Sequence, residues 1–331
     1  MPSEIIPPEY LQEEETLTPE TRNTISKLPK EKGWLVAHLY LYEGFWYPAR
    51  YLQGVVACQT HFRPLPTDIL LVTTPKSGTT WLKALVFTLA NRATHPPFPS
   101  NHNHPLSSAS PHQLVPFLEI SLFVNGRAPD SSFYPSHQRR ILATHMPFSS
   151  LPYASNGGKV IYLCRDPKDV FVSLWHFTNA LKPEGSAPTP VQDVLHMFCR
   201  GVSIFGPFWD HVLGYWYKSR DAPDKFLFLR YEELKESPGP VLRRLAAFLG
   251  CPFTHEEEAS GVVENILEMC SFGRLSGLQV NRTGKLSSGE ENRAFFRRGV
   301  VGDWENYLGP EMAHRIDCIT EEKFRASGLL M

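Results

Sequence analysis

Four short runs of apolar residues, each followed by a turn, dominate the pattern of this chain. The runs are residues 69–72, 141–143, 160–163 and 226–229. Three of them lead into predicted helices, at 79–91, 170–177 and 241–249. A strand that is apolar at nearly every position is covered on both faces, and strands that alternate with helices indicate a parallel sheet. The pattern therefore predicts an α/β fold: a single domain with a central parallel β-sheet flanked by helices.

The first 30 residues differ from the rest in being polar, with an acidic run at Glu13, Glu14 and Glu15. They predict a flexible N-terminal tail, residues 1–30, before a domain that spans residues 31–331. Aromatic side chains are dense between residues 32 and 58, which indicates packing onto the core.

Two stretches have no regular pattern. Residues 95–116 are rich in Pro, Ser, His and Asn, and residues 273–292 are rich in Gly, Ser and charge. Long connections of this kind in a compact enzyme tend to be binding loops or lids. We therefore expect both stretches to contribute to a binding site.

Net charge, cysteine spacing and the distribution of apolar residues indicate which partners and which cellular compartment to expect. The formal net charge of the 331 residues is −1, so no general attraction to nucleic acid or to an anionic membrane is expected. The six cysteines are scattered without a C-x-x-C pair, which indicates free thiols in a reducing compartment. The N-terminus has no basic-then-apolar signal, and no apolar run approaches the ~18 residues that span a bilayer. These features predict a cytoplasmic protein with no nucleic-acid or membrane partner.

The segment TPKSGTTW, residues 74–81, lies between the first apolar run and its helix. A helix start offers unpaired N–H groups and the positive end of the dipole, so it can bind an anion. Gly78 would let the backbone approach such an anion, and Lys76 would add a positive charge. The alternative is an ordinary helix start capped by Ser77 or Thr79. The segment alone does not separate the two readings.

The residue order is not that of a nucleoside-triphosphate loop. That motif, G-x-x-x-x-G-K-[ST], places its lysine after the second glycine, whereas Lys76 precedes the single glycine here. The run at 160–163 continues to Arg165 and Asp166, so a cation stands close to where a magnesium ligand is expected. His102 and His104 have no third ligand at a workable spacing. We therefore expect an anion bound without a metal.

PKSGTTW resembles the 5′-phosphosulfate loop of cytosolic sulfotransferases. The similarity continues, in the family's order, through YLCRDPKDVFVSLWHF at 162–177, RGVSIFGPFWDHVLGYW at 200–216, FLRYEELKESP at 228–238 and FFRRGVVGDWENYL at 295–308. It covers roughly residues 32–331, and the phrases GFW, NHPL and GPFWDHVLGYW are most similar to the plant branch. The resemblance implies a P-loop NTPase-like sulfotransferase fold. It also implies transfer of a sulfuryl group from 3′-phosphoadenosine-5′-phosphosulfate (PAPS), released as adenosine 3′,5′-bisphosphate (PAP), to a hydroxyl of a small hydrophobic acceptor.

The resemblance assigns roles to individual residues. The residues implied to hold the 5′ end of the donor are Lys76, Ser77, Gly78, Thr79 and Thr80. Lys76 would also stabilise the charge that develops on the departing oxygen. His145, in the T-H-x-P element after a short strand, is implied to be the general base, and a neutral imidazole suits that task near pH 7. Only this motif distinguishes His145 from His176 and His211.

Arginines from two segments are implied to bind the 3′-phosphate. The residues are Arg165, Ser173, Arg297, Arg298 and Gly299. We expect Asp166 to cap the following helix and Pro167 to be its first residue, which would hold Arg165 at the strand tip. Trp81 and Phe272 match the positions that sandwich the adenine, although either could belong to the core, and Arg297 and Arg298 could form a solvated basic patch.

Departures from the family pattern bear on rate, donor binding and assembly. Ala143 replaces a lysine of animal relatives, and Phe205 replaces a tyrosine that contacts the nucleotide. Glu305 follows Trp304 where the dimer signature has lysine, so a monomer or a weak homodimer is expected.

Two other functions remain open at this stage. One is a nucleotide-dependent kinase of related fold, and the other is a non-catalytic binding protein for small phenols or hormones. The acceptor itself is not specified among flavonoids, steroids, hydroxyjasmonate and similar molecules.

Overall fold

The structure, a computed structural model, describes residues 8–12, 16–98, 101–129, 139–152 and 157–331. The acidic run from Glu13 to Glu15 lies outside the described residues. None of the helices within these ranges is long and apolar enough to cross a membrane.

The strands form two sheets. Their bounds are β1 Lys30–Lys32, β2 His38–Tyr42, β3 Phe45–Tyr47, β4 Ile69–Thr73, β5 Ile141–Thr144, β6 Lys159–Cys164 and β7 Phe226–Arg230. The central sheet has the order β5-β4-β6-β7 and every neighbouring pair in it is parallel. This confirms the predicted α/β class and all four predicted strands.

Helices cover the central sheet on both faces. Their bounds are α1 Pro19–Ile25, α2 Ala49–His61, α3 Thr79–Ala90, α4 Pro111–Leu114, α5 Pro167–Ala180, α6 Val191–Cys199, α7 Phe208–Asp221, α8 Tyr231–Glu236, α9 Pro238–Phe248, α10 His255–Ala259, α11 Val262–Met269, α12 Phe272–Gly277, α13 Gln279–Thr283 and α14 Pro310–Phe324. Side chains alternate between the faces of a strand. Accordingly Leu70 and Val72 of β4 pack in one apolar cluster, while Ile69 and Leu71 pack in a second.

The N-terminal part contains structure that the pattern did not predict. Strands β1, β2 and β3 form an antiparallel sheet. Several of the aromatic residues between positions 32 and 58 lie on β2 and β3 rather than on α2. Leu17, which precedes α1, and Ile25, the last residue of α1, are both buried in the core. The boundary at residue 31 and the flexibility of residues 1–30 stay predictions.

The two stretches without a regular pattern also contain short elements. Residues 273–292 hold most of α12 and all of α13, followed by a bridge between Lys285 and Glu291. Residues 95–116 hold α4 and a 3-10 turn, Pro105–Ser107. These elements are three to six residues long, too short for apolar periodicity to indicate them.

The carboxyl ends of the four parallel strands meet at one edge of the central sheet. Thr74, His145, Arg165 and Tyr231 each follow directly on one of these strands. Ligands of open α/β sheets bind at this edge.

Candidate active site

A cavity of about 730 Å³ lies at the carboxyl edge of the central sheet. Among the residues to which the resemblance assigns a binding or catalytic role, those that line it are Lys76, Gly78, Thr79, Thr80, Trp81, His145, Arg165, Ser173, Phe272, Arg297, Arg298 and Gly299. Ser77 is the exception, because its side chain is fully buried behind the cavity wall and bonds to Thr74, with 2.6 Å between the two hydroxyl oxygens.

Helix α3 begins at the cavity without a side-chain cap. Its N-cap residue is Gly78, and no side chain among the described residues accepts a capping hydrogen bond there. The hydroxyl of Ser77 is used by Thr74, and the hydroxyl of Thr79 lies 2.7 Å from that of Thr73. The capping alternative therefore fails, and the first N–H groups of α3 remain available to an anion.

Gly78 is required by both its backbone and its surroundings. Its φ of 104° lies in the left-handed region, which costs roughly 1–2 kcal/mol for a residue with a Cβ. A Cβ at this position would also lie 2.7 Å from the ring of Tyr231 and 3.1 Å from Leu163. Tyr231, the first residue after β7, places its ring against the loop at residues 74–81, and a residue with a Cβ at position 78 would clash with that ring.

The Lys76 side chain lies among aromatic rings and other cations. Its ammonium is 3.9 Å from the centre of the Phe177 ring. Burial lowers the pKa of Lys76 to about 7, with further lowering by Arg297 and Arg165. An anion in the cavity would reverse this effect, because an opposite charge favours the protonated lysine.

Arg165 is held by Asp169, four residues later on α5. The Nη2 atom of Arg165 donates to Asp169 Oδ2 at 2.9 Å and to the backbone oxygen of Val300 at 2.7 Å. The buried Nε of Arg165 has no hydrogen-bond partner within the described ranges. Asp166 caps α5 by accepting from the N–H groups of Lys168 and Asp169, which confirms the predicted cap.

Asp169 also anchors the loop that follows the arginine pair. Its carboxylate accepts the backbone N–H of Gly302 at 2.9 Å and that of Trp304 at 3.0 Å. Arg297 and Arg298 both pair with Asp303 in this loop, and the Arg298 contact is 2.8 Å. A single buried carboxylate therefore fixes Arg165 and the segment beside the other two arginines.

The aromatic pair Trp81 and Phe272 lines the same cavity. Trp81 packs edge-on against Tyr231, with ring centres 5.6 Å apart. Phe272 is about one-third exposed and lies against Gly299, where a Cβ would come within 2.5 Å of its ring. The positive φ of 66° at Gly299 and this close approach explain why glycine stands there.

His145 is fixed in one tautomer by the strand beside it. Its Nδ1 lies 2.7 Å from the backbone oxygen of Thr73. A carbonyl oxygen only accepts, so Nδ1 carries the hydrogen and Nε2 is left with a lone pair. Burial lowers the pKa of His145 to about 3. The ring is therefore neutral at physiological pH.

Two polar groups that support His145 were missed from the sequence. Glu119 is fully buried and accepts the backbone N–H of His145 and the hydroxyl of Thr144, both at 2.7 Å. His211 donates from Nε2 to the backbone oxygen of His145 at 2.9 Å. A lone acid in the apolar stretch VPFLEISLF was the available signal for Glu119. His211 lies in the segment RGVSIFGPFWDHVLGYW, but the resemblance assigned it no role.

Phe205 packs beside the histidine. Its ring lies 5.4 Å from that of His145, edge-on to Tyr47 and stacked on Tyr51 at 5.9 Å. The expected loss of a nucleotide hydrogen bond at this position stays a prediction. Within the described ranges, no group of three or more His, Cys, Asp or Glu could hold a metal ion.

Comparisons with known proteins agree on one family. A family model described as the sulfotransferase domain matches residues 66–328. Cytosolic sulfotransferase 15 of Arabidopsis thaliana is 48% identical over 320 residues, covering 96% of this chain and 89% of that protein. Cytosolic sulfotransferase 12 of the same plant is 49% identical over 324 residues, 97% of each chain.

Solved structures share the fold. An Arabidopsis thaliana protein provisionally described as a steroid sulphotransferase has a TM-score of 0.75 and 44% identity, covering 98% of this chain and 100% of that one. Retinol dehydratase, solved with androsterone and the inactive cofactor PAP, has a TM-score of 0.71 and 21% identity, covering 95% and 96%.

Proposed function

The chain belongs to the sulfotransferase family, and on that premise we propose that it transfers the sulfuryl group of PAPS to a hydroxyl of a small hydrophobic acceptor. One observation carries the proposal. A half-buried lysine, Lys76, and a neutral histidine, His145, with an unprotonated ring nitrogen line one cavity, at the ends of the adjacent strands β4 and β5.

The cavity suits a nucleotide with an anion at each end. The uncapped start of α3 and Lys76 would hold the 5′ end. Arg165, with its unpartnered Nε, and the pair Arg297 and Arg298 would hold the 3′-phosphate, because guanidinium groups bind phosphate through charge-assisted hydrogen bonds. Ser173 and Gly299 would contribute beside them, and Trp81 and Phe272 would enclose the adenine. Retinol dehydratase, which shares the fold, binds PAP.

The chain's own residues supply a base and a cation. The donor brings a sulfuryl group joined to a phosphate oxygen. Nε2 of His145 takes the proton of the acceptor hydroxyl, whose oxygen forms the new bond to sulfur. The bond between sulfur and the phosphate oxygen breaks, that oxygen keeps the electron pair, and Lys76 stabilises its charge. An anion bound beside His145 would raise its pKa and so make it a stronger base.

The acceptor half of the cavity is largely apolar. The side chains that line it include Tyr10, Tyr51, Phe117, Ile120, Phe205 and Leu286. Rings and aliphatic groups of this kind suit a flat hydrophobic alcohol or phenol of the flavonoid, steroid or hydroxyjasmonate type. We place the reaction in the cytosol, as the relatives' names suggest, and expect a monomer or weak homodimer without a metal.

The kinase alternative finds less support in the site. A magnesium-dependent kinase of the P-loop type needs a carboxylate at the end of a strand beside the phosphate loop, and that carboxylate must be free to bind the metal. Here Asp166, which comes two residues after β6, accepts two backbone N–H groups as a helix cap. The non-catalytic alternative would require neither the Lys76 charge nor the fixed His145 tautomer.

The test combines the purified protein with PAPS and a panel of flavonoids, sterols and hydroxyjasmonate, with sulfated products identified by mass spectrometry. We expect an 80 Da mass increase, about that of SO₃, and release of PAP, both absent when PAPS is omitted. Calorimetry should show binding of PAP. No binding of PAP, or magnesium-dependent hydrolysis of ATP in its place, would overturn the proposal.

A further inference from the structure

Lys83 on α3 is a buried cation one turn beyond the phosphate loop. Its side chain is fully buried, and its Nζ lies 3.3 Å from the centre of the Phe117 ring. Burying an ammonium is costly unless other groups compensate it. Burial lowers the pKa of Lys83 well below its usual value, while the carboxylate of Glu119 and the face of Phe117 act in the opposite direction and favour the charged form.

A hydrogen-bond chain leads from Lys83 to the cavity. Its Nζ lies 3.2 Å from Nδ1 of His112, and Nε2 of His112 lies 2.9 Å from the hydroxyl of Thr80. The ring of His112 is buried, packing against Phe117 and against Phe295 at 4.2 Å. Burial, and then the charge of Lys83, lower the pKa of His112, so the imidazole is neutral.

The two hydrogen bonds allow donation to run in one direction, from Lys83 through His112 to Thr80. The Nζ of Lys83 carries hydrogens whether or not it is charged, and when it donates to Nδ1 of His112 the hydrogen of the ring is on Nε2. That hydrogen is donated to the Thr80 oxygen. The hydroxyl hydrogen of Thr80 is then free to point into the cavity, which Thr80 lines at the first turn of α3.

We propose that Lys83 and His112 are positioning residues that hold the Thr80 hydroxyl as a donor to the anionic group at the start of α3. The inference rests on the proposed function, since it assigns these residues a part in the same site. It explains why a lysine, rather than an apolar residue, stands on a helix side that packs wholly inside the protein. The ring of Phe117 lies between this chain and His145, at 4.6 Å from the imidazole centre.

The first experiment observes the His112 tautomer directly. Protein labelled with ¹⁵N in its histidines is examined by long-range ¹⁵N–¹H correlation, and the His112 signals are assigned by their loss in His112→Gln. We expect the Nε2–H tautomer in the wild type and a changed signal in Lys83→Met. A wild-type Nδ1–H tautomer, or a charged ring, would overturn the inference.

The second experiment tests whether Lys83 and His112 affect activity through the hydroxyl of Thr80. We expect Lys83→Met and His112→Phe each to lower kcat about tenfold, less than the loss of a whole oxyanion donor. In a Thr80→Val background the same changes should cost no further activity. His112→Gln should keep most activity, because its amide N–H can replace Nε2–H. Equal losses with and without the Thr80 hydroxyl, or a His112→Gln as impaired as His112→Phe, would mean that the pair serves packing alone.

The two experiments separate failure of this inference from failure of the proposed function. A wild type that forms no sulfated product, yet shows the expected His112 tautomer, would overturn the sulfotransferase proposal and with it the part assigned to Thr80. An active wild type with additive losses would overturn only the positioning chain. Thermal unfolding of each variant identifies those whose loss comes from unfolding, and for these the tautomer measurement decides.

Discussion

Thr73 fixes the tautomer of His145: its backbone oxygen is 2.7 Å from Nδ1, at the point where β4 leaves the sheet. The contact joins the end of one strand to the first residue after its neighbour β5. The lysine loop also starts at Thr74. The orientation of the His145 ring and the position of Lys76 therefore depend on the same few residues at the end of β4.

His145→Ala should lower kcat by about 10²–10⁴-fold, the usual contribution of a positioned acid or base. Affinity for PAP should change little, because the proposed contacts to the nucleotide come from the loop at residues 74–81 and from the arginines rather than from His145. Steady-state sulfation and calorimetry measure the two quantities. His255→Ala, at an exposed histidine of α10, is the matched control. Turnover equal to that of the wild type would remove His145 from the mechanism.

Arg298→Ala, alone or with Arg297→Ala, should weaken binding of PAP by about tenfold or more, since a hydrogen bond between charged groups contributes about 1.5–3 kcal/mol. Adenosine 5′-phosphosulfate lacks the 3′-phosphate, so its affinity should fall much less. Arg293→Ala provides the control, because Arg293 lies in the same segment but is exposed and pairs with Glu291. Equal loss for both nucleotides would refute a 3′ role.

Gly78→Ala should abolish measurable binding of PAP and lower the free energy of unfolding by more than 1–2 kcal/mol, the approximate cost of the left-handed backbone alone. The added Cβ would displace the Tyr231 ring from the loop. Gly250→Ala separates the two effects. Its φ is also positive, at 72°, but a Cβ there meets nothing within 4 Å. If both variants bind PAP normally, the loop does not require close approach at Gly78.

The buried histidine His211 should make stability fall in mild acid. Burial lowers its pKa from 6.5 to about 4. Between these pH values the histidine is protonated in the unfolded chain and neutral in the folded protein. Stability from this group is complete above pH 6.5 and is lost as the pH falls toward 4, by roughly 3 kcal/mol. Urea unfolding at several pH values should therefore show a flatter profile for His211→Gln than for the wild type.

Glu119 changes the pH dependence of the free energy of unfolding in the opposite direction to His211, over an overlapping pH range. Burial raises its pKa from 4.5 to about 7, so its contribution is complete below pH 4.5 and is lost as the pH rises through 7. The difference between wild type and His211→Gln isolates the histidine from this effect. His314→Gln, at an exposed position of α14, is the control. Parallel profiles for the wild type and His211→Gln would contradict the prediction.

The central sheet could be predicted because burial on both faces leaves a clear signal. Residues 69–72 and 160–163 are apolar throughout, and both became central strands. The strand order could not be predicted, since the register between distant segments leaves no local pattern. Strands β1 and β3, of three residues each, are too short to show alternation.

The site was predictable where a motif carried it. Lys76, Gly78, His145 and Arg165 line one cavity, as the motifs implied. The supporting residues Glu119, Lys83 and His112 were missed, because their importance lies in contacts between segments that are far apart in the sequence. A charged residue within an apolar helical stretch, such as Lys83 in WLKALVF, is a signal worth reading in future sequences.

The carboxylate of Asp169 binds both Arg165 and the backbone N–H groups of Gly302 and Trp304. Arg165 and the segment that follows Arg297 and Arg298 are therefore held by the same side chain. A fragment that stopped before residue 300 would keep the ion pair of Arg165 and Asp169 but would lose the hydrogen bond of Arg165 to Val300 and the bonds of Asp169 to Gly302 and Trp304. The proposed binding of the 3′-phosphate would therefore depend on the packing of the segment after Arg298 against α5.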